Sequence, residues 1–321
     1  MAVLKPSDLQ RLEPVFDQEI ECWKRELHWD FRPSAQLIRK FVRSQSLPGY
    51  VLESGRGDVV GYTYYIANHP VGFIGDLFMS DRHSSLEGYQ ELLSAAFEAL
   101  TGHPRVERIE CQIIPFNQSL ESLFEARGFR ALPRYFLTYD LRAQSEEEVG
   151  EARGFQVERW QRRFFESAAR TVQDSYRSSP DFHLCFDYQS LEGCSRFLRN
   201  LIDNPGCGTF QPGTSLVALD EHSEICGVVV TSLISPETGM IPQISVRRDW
   251  QGRGVGSYLM RRYFAMARRQ GLKRVTLSVS AANQGAYRLY ERMGFEVQKT
   301  FHAFLWTREA AANKSRAAKS G

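Results

Sequence analysis

The sequence predicts an α+β protein that contains two tandem copies of one fold, each a mixed, mostly antiparallel sheet flanked by helices. Three observations support this prediction: internal repeats at a constant spacing, a polar join between the copies, and alternating strand and helix patterns within each copy. At 321 residues the chain is also long for a single hydrophobic core, which favours two domains.

Three blocks of the first half of the chain recur in the second half in the same order. Two of them are apolar strands, and the third is an apolar strand that ends at an asparagine and opens a helix ending in Gly-Phe. The matched segments are 60–66 with 226–232, 73–79 with 240–246, and 109–129 with 275–295. The spacing is about 166 residues each time, so we interpret the chain as two copies of one fold.

The composition of the chain indicates where the copies begin and end. Residues 142–154 are polar and acidic, with Val149 as their one large apolar residue, which is typical of a linker. The tail 309–321 consists mainly of Ala, Lys, Ser and Arg without apolar periodicity, so we expect it to be disordered. The predicted domains are therefore 1–141 and 155–308.

Strand and helix patterns alternate along the second copy. The predicted strands are 155–160, 215–218, 225–232, 240–246, 275–279 and 298–307, and the predicted helices are 161–176, 191–203, 254–270 and 283–293. The short polar turn between the second and third strands predicts a hairpin. The helix between 240–246 and 275–279 predicts a parallel crossover within an otherwise antiparallel sheet.

Composition and charge exclude several classes of function. The net charge of +2 predicts no strong affinity for nucleic acid or for an anionic membrane, and the basic residues of helix 254–270 fall on its polar face. Six scattered cysteines without a Cys-x-x-Cys pair predict neither a metal site nor a disulfide framework. With no apolar leader or spanning segment in the sequence, we expect a cytoplasmic protein. The sequence leaves its oligomeric state open.

The segment 246–257 carries the clearest site signal. An apolar strand runs into a turn where Gly252, Gly254 and Gly256 alternate, and the turn opens an amphipathic helix. Such a turn directs backbone N–H groups and the helix dipole at one point, which favours a phosphate or pyrophosphate. The turn lacks the Gly-Lys-Ser/Thr ending of a Walker loop and the spacing of a dinucleotide fingerprint. A tight turn without a ligand is the alternative.

Two polar residues follow the next strand. Asn283 stands where that strand ends, so its amide can bond an extended polar chain. Tyr290 lies two helical turns further along the same face. A phenol, with its pKa near ~10, is a suitable proton donor to a departing thiolate. The alternative for Tyr290 is a core aromatic whose hydroxyl is satisfied by a neighbour.

The combined pattern resembles the GNAT superfamily of acyl-CoA N-acyltransferases. It consists of Gln251-x-x-Gly254-x-Gly256, then Asn283-x-x-Ala286-x-x-Leu289-Tyr290-x-x-x-Gly294-Phe295. The resemblance covers about residues 240–295. It implies an N-acetyltransferase, with acetyl-CoA as donor and a small-molecule or peptide primary amine as the acceptor that attacks directly.

The resemblance also implies roles for individual residues. The implied donor-binding set is Ile244, Ser245, Val246, Gln251, Gly252, Arg253, Gly254, Val255, Gly256, Ser257 and Asn283. Strand backbone would pair with the pantetheine arm, loop N–H groups would hold the pyrophosphate, and Tyr290 would protonate the CoA thiolate. Arg253, or the pair Arg247 and Arg248, would neutralise a CoA phosphate unless these side chains form only a solvated basic face.

The general base is less clear from the sequence. Many members of the superfamily place a carboxylate on or beside the strand before the loop. Here that strand offers no acid, and Glu237 just before it is the candidate base. Water could take the proton instead, and polar residues such as Asp181 and Tyr188 lie where acceptors are usually recognised. The missing carboxylate also leaves open a second class of function, a CoA-binding regulatory or interaction module without turnover.

The first copy departs from the motif. In the first copy Gln251 is matched by Ser84, Gly254 by Glu87 and Gly256 by Tyr89. Phe124 replaces Tyr290, and Asn117 is retained. A glutamate repels a pyrophosphate, tyrosine prevents close backbone approach, and phenylalanine cannot donate a proton. We therefore expect one CoA per chain, bound by the second copy. This layout is similar in architecture to that of the mycothiol synthases, a likeness that does not identify the acceptor.

Overall fold

A computed structural model describes residues 1–116, 119–143 and 150–319 and confirms the α+β class. The strands are β1 Ala2–Val3, β2 Gly49–Glu53, β3 Val59–Asn68, β4 Val71–Met79, β5 Arg108–Ile113, β6 Arg130–Asp140, β7 Gln156–Arg159, β8 Thr209–Phe210, β9 Leu216–Leu219, β10 Ile225–Ser235, β11 Thr238–Val246, β12 Arg274–Ser280 and β13 Glu296–Thr307. The α-helices are α1 Leu9–Leu27, α2 Arg32–Arg43, α3 Leu86–Thr101, α4 Glu121–Ala126, α5 Phe165–Tyr176, α6 Leu191–Asp203, α7 Val255–Arg269, α8 Gln284–Arg292 and α9 Arg308–Lys319.

The chain forms two compact units. The first unit combines Met1–Pro133 with the chain from Phe301 onward, and the second unit is Arg134–Thr300. In the first unit the strand order is β1-β2-β3-β4-β5 followed by the end of β13. Among the strand pairs formed by the described residues of this unit, β4 and β5 alone are parallel, and α3 connects them. The sheet residues and α3 share an apolar core that includes Leu92 and Phe124.

The second unit repeats this plan. Its strand order begins with the 134–140 part of β6 and continues β12-β11-β10-β9-β7, with β8 beside β10. The strands β11 and β12 are parallel and α7 connects them, as the sequence predicted. Leu259 and Tyr263 of α7 pack on the core side of this sheet and are almost completely buried.

The units differ from the predicted domains 1–141 and 155–308 in their last strands. The 134–140 part of β6 pairs antiparallel with β12 in the second unit, and the 302–307 part of β13 pairs with β5 in the first. The buried side chains follow the same division: Leu137 packs in the core of the second unit and Trp306 in that of the first. Both strands alternate apolar residues suited to either sheet, so sequence order alone assigned them wrongly.

Most of the predicted tail forms a helix, and part of the predicted linker lies outside the described residues. Residues 144–149 of the linker 142–154 lie outside the described residues. The tail 309–321 was expected to be disordered, but α9 continues to Lys319, and residues 320–321 lie outside the description. Alanine, lysine and arginine favour helix even without an amphipathic pattern. Arg308 anchors the start of α9 because its guanidinium donates to the carbonyl oxygens of Thr101, His103 and Val106.

Among the described residues, no helix has the length and apolar character to cross a bilayer.

Candidate active site

The two parallel strands of the second unit separate midway along their length. Thr238–Met240 of β11 pairs with Arg274–Thr276 of β12, and within the described residues the pairing stops there. On its other edge β11 has a bulge, because Ile241 and Pro242 together face Thr231 alone on β10. A bulge bends the strand that carries it, and proline also lacks a ladder N–H. The bend opens a gap between β11 and β12.

This gap is a cleft of about 650 Å³. Its walls are formed by residues 241–246 of β11 and 277–279 of β12, by the loop before α7, by α8, and by the end of α5 with the chain that follows it. The sequence-predicted residues that line it are Ile244, Ser245, Val246, Gln251, Gly252, Gly254, Val255, Gly256, Ser257, Asn283 and Tyr290. The fold therefore brings all of the predicted residues to one place except Arg253 and Glu237.

The glycine-rich loop has the backbone geometry of an anion site. Gly252 and Gly254 adopt φ of +76° and +84°, conformations that side chains with a Cβ rarely take. The first hydrogen bond of α7 runs from the Tyr258 N–H to the Gly254 carbonyl at 2.9 Å. The N–H groups of residues 255–257 precede that bond, so the helix itself does not use them. They lie at one end of the cleft, where the helix dipole adds positive potential.

Side-chain hydrogen bonds from glutamine and serine residues hold the end of β11, the strand that leads to this loop. Gln251 Nε2 donates to the Val246 carbonyl at 3.0 Å and closes the turn onto β11. Ser245 Oγ accepts hydrogen bonds from Ser175 Oγ and from Gln243 Nε2, both at 2.7 Å. The side chain of Ser245 is therefore occupied inside the protein, and the backbone edge of β11 is what this strand presents to the cleft.

The structure gives the arginines of the loop other partners. The guanidinium of Arg253 lies 5.1 Å from the ring centre of Trp250 and outside the cleft lining. Arg247 binds Asp220 and Asp249, both at 2.8 Å. These contacts fix the loop from its outer side. Arg292 lines the cleft instead, and no pattern singled it out because it stands at an unspecified position of the second motif.

Asn283 orders the start of α8. Its Oδ1 accepts from the Ala286 N–H at 3.2 Å, the bond of an N-cap. Its Nδ2 donates to Asp181 Oδ2 at 3.3 Å. Both ends of the Asn283 amide are therefore hydrogen-bonded within the protein, and the side chain links α8 to Asp181 at the cleft wall. Asp181 is itself buried and lies in the short 3-10 helix Pro180–His183.

Tyr290 lies at the wall of the cleft and is 7% exposed. No hydrogen bond joins its hydroxyl to another described residue, so the alternative of a satisfied core hydroxyl does not hold among these residues. Burial raises the pKa of Tyr290 above 10, and the neighbouring Tyr176 and Asp181 raise it further. The phenol therefore stays protonated at neutral pH, as a proton donor must.

The structure places Glu237 away from the cleft. Glu237 lies in the turn before β11, is half exposed, and forms an ion pair with Lys273. The bond from Lys273 lowers the pKa of the Glu237 carboxyl, which is the opposite of what a base near neutral pH needs. Asp181 is the carboxylate that lines the cleft. The sequence named it only among several polar residues of that segment because the fold alone brings it beside Asn283.

The corresponding loop of the first unit has a different construction. It runs from 80 to 85, two residues fewer than the loop 247–254. Ser85 caps α3 with its own side chain, whose Oγ accepts from the Gly88 N–H at 3.1 Å. When the first residues of α3 and α7 are aligned, Glu87 corresponds to Gly256, whereas the sequence comparison matched it with Gly254. Its charge still opposes an anion there.

Two other substitutions of the first copy are buried in its core. Tyr89 is 4% exposed and Phe124 stacks on Phe304 with ring centres 3.8 Å apart. Both side chains belong to the apolar core of the first unit. Asn117, the retained asparagine, lies outside the described residues.

A splayed parallel pair, a glycine-rich helix start and a buried tyrosine across the gap agree with the resemblance to acyl-CoA-dependent N-acyltransferases that the sequence motifs indicate. Residues 159–295 match the model of the acetyltransferase (GNAT) family. The matched segment lies within the second unit.

Curated relatives match part of the chain. The mycothiol acetyltransferase of Propionibacterium freudenreichii subsp. shermanii is 32% identical over 94 residues, which cover 28% of this chain and 30% of that protein. The chain spans about a third of the length of the curated relatives it matches.

Two solved structures share the whole fold. A GCN5-related N-acetyltransferase from Sphaerobacter thermophilus has a TM-score of 0.69 at 17% identity, covering 95% of this chain and 94% of that one. A tandem GNAT protein from the clavulanic acid biosynthesis pathway has a TM-score of 0.61 at 13% identity, covering 95% and 97%. These likenesses confirm the tandem architecture.

Proposed function

We propose that the second unit is an N-acetyltransferase that moves the acetyl group of acetyl-CoA to a primary amine by direct attack. One observation carries the proposal: a single cleft joins the helix-start N–H groups of residues 255–257 to the hydroxyl of Tyr290. A donor with a pyrophosphate at one end and a thioester at the other fits this arrangement.

The residues along the cleft suit the successive parts of such a donor. The N–H groups at the start of α7 would bind the pyrophosphate, because they are preorganised and lie at the positive end of the helix dipole. The cleft-facing backbone edge of β11 at Ile244 to Val246 would bind the amides of the pantetheine arm, as an added strand does. Arg292 is placed to neutralise a phosphate of the donor.

Tyr290 supplies the proton for the leaving group. The amine lone pair would form a bond to the thioester carbonyl carbon, the carbon–sulfur bond would break, and the Tyr290 O–H would give its proton to the sulfur. The proton lost by the amine would pass to Asp181 or to water and return to the phenolate through solvent. Holding amine, thioester and phenol in one cleft makes the attack effectively intramolecular, which lowers the barrier.

The first unit would act as scaffold, since its loop is shorter, capped by Ser85 and acidic at Glu87. Calorimetric titration with CoA should therefore give one site per chain, and two sites would contradict the proposal.

Thiol release with a panel of amines, amino acids and peptides tests turnover directly. Release of free CoA with at least one acceptor, together with formation of its N-acetyl product, is the expected result. Tight CoA binding with no thiol release from any acceptor would favour the rival function, a CoA-binding module without turnover.

A further inference from the structure

The lining of the cleft carries charges of both signs, because Arg134 and Asp181 both line it. Arg134 is the first residue of the second unit and lies opposite Ser280 in the register of β6 and β12. Its Nη1 donates to Ser280 Oγ at 3.2 Å, which holds the guanidinium at the end of β12. Asp181 is held nearby through Asn283, which follows the same strand.

Two stacked aromatic rings line the same cleft as the two charged side chains. Tyr176 stacks on Tyr188 with ring centres 3.7 Å apart, and both rings line the cleft. The Tyr176 hydroxyl donates to Gln243 Oε1 at 3.4 Å, which fixes the ring against β11. Burial is the main cause that raises the pKa of Tyr176, while Asp181 raises it and Arg134 lowers it. The two charged residues and the two rings line one cleft.

We propose that the acceptor is an amine that also carries a carboxylate, with the carboxylate bound by Arg134 and the amino group placed beside Asp181. The proposal rests on the proposed function, because it names the class of acceptor for the same cleft. Guanidinium geometry matches a carboxylate with two parallel hydrogen bonds, and an ammonium group suits a carboxylate such as Asp181.

Charge balance favours this acceptor over the alternatives. A simple alkylamine would desolvate Arg134 without offering it an anion, which costs binding energy. An amine acceptor that carries a dianionic phosphate would bring one more negative charge than a carboxylate brings. That charge would be repelled by Asp181 in the same cleft. A zwitterion with one charge of each sign complements both residues.

The test compares acceptors that differ only in the carboxylate. Amino acids and their amides are assayed in pairs with acetyl-CoA, and the measured quantity is the ratio of kcat/KM for the acid to that for the amide. Three proteins are compared with the wild type: Arg134→Met, Arg134→Lys, and the control Arg170→Met, which changes an exposed arginine of α5 outside the cleft.

The wild type should prefer the acid. Arg134→Met should reduce the ratio about 10- to 100-fold, the loss expected when a charge-assisted hydrogen-bond pair is removed. Arg134→Lys should reduce it less, because it keeps the charge and loses only the planar fork. Arg170→Met should leave the ratio unchanged. A merely structural role of Arg134 would lower both kcat/KM values in parallel and leave the ratio intact.

The outcomes separate this inference from the function on which it rests. Wild-type turnover that favours amides over acids, or an unchanged ratio in Arg134→Met, would overturn the inference while leaving the acetyltransferase proposal in place. Absence of thiol release with every amine, acids included, would overturn both.

Discussion

Replacing Tyr290 by phenylalanine isolates the proton donor from the rest of the cleft. The substitution removes one oxygen from a side chain that is 7% exposed, and that oxygen makes no hydrogen bond to another described residue. We therefore expect little loss of folding stability, within about 1 kcal/mol, because no buried partner is left unsatisfied. The donor-binding loop around Gly254 is untouched, so CoA affinity should stay within about threefold.

The effect on turnover should be large. Removing a positioned general acid typically costs a factor of about 10² to 10⁴, which corresponds to about 2.7 to 5.4 kcal/mol in the activation free energy. Because burial raises the pKa of Tyr290 above 10, wild-type kcat should not fall through ionisation of this phenol as the pH approaches 10. A tyrosine with an ordinary pKa would be half ionised there.

The matched control is Tyr263→Phe. Tyr263 is 1% exposed in the core of the same unit and does not line the cleft. Steady-state thiol release, CoA calorimetry and thermal melting of both variants form the assay. The reasoning fails if Tyr290→Phe keeps wild-type kcat, or if both variants lose activity together with stability.

Three further predictions concern the loop, the discarded base and the first unit. Gly254→Ala should lower the free energy of unfolding by about 1–2 kcal/mol in thermal melts, because alanine is strained at φ +84°. It should also weaken CoA binding at least about tenfold by calorimetry. Unchanged CoA affinity would argue against a pyrophosphate site at this loop. Glu237→Gln should leave kcat unchanged, since that carboxylate binds Lys273 outside the cleft, and a large loss of kcat would restore it as base. Burial and Asp76 raise the pKa of Glu19 well above 4.5, so the folded chain keeps a proton that the unfolded chain releases. Stability should therefore fall as the pH rises above 4.5, where the unfolded chain loses this proton, and Glu19→Gln should flatten that slope in melts.

Much of the site could be predicted because its parts are local in sequence. A glycine-rich turn between a strand and a helix places N–H groups by short-range geometry. Helix bounds are also set by local sequence, and α6 occupies Leu191–Asp203, the predicted range. Tyr290 could be predicted for the same reason, since its distance from Asn283 is fixed by the pitch of one helix.

Other parts could not be predicted because they depend on contacts between distant segments. Glu237 is close to the loop in sequence, yet β11 carries it to the far end of the strand, where Lys273 binds it. Asp181 lines the cleft beside Asn283, which donates a hydrogen bond to it from 102 residues further along the chain. No local pattern marks such a pairing.

The sequence by itself determined the two-copy α+β plan, the single intact glycine-rich loop and the order of elements that carries it, since repeats and periodicity are properties of the chain alone. The tertiary structure decided which sheet each last strand joins. It therefore also decided that Arg134, which by sequence order belongs to the first copy, lines the cleft of the second. The physical reason is that strand pairing is satisfied by any edge of suitable register and burial, and only the folded sheet selects among the available edges.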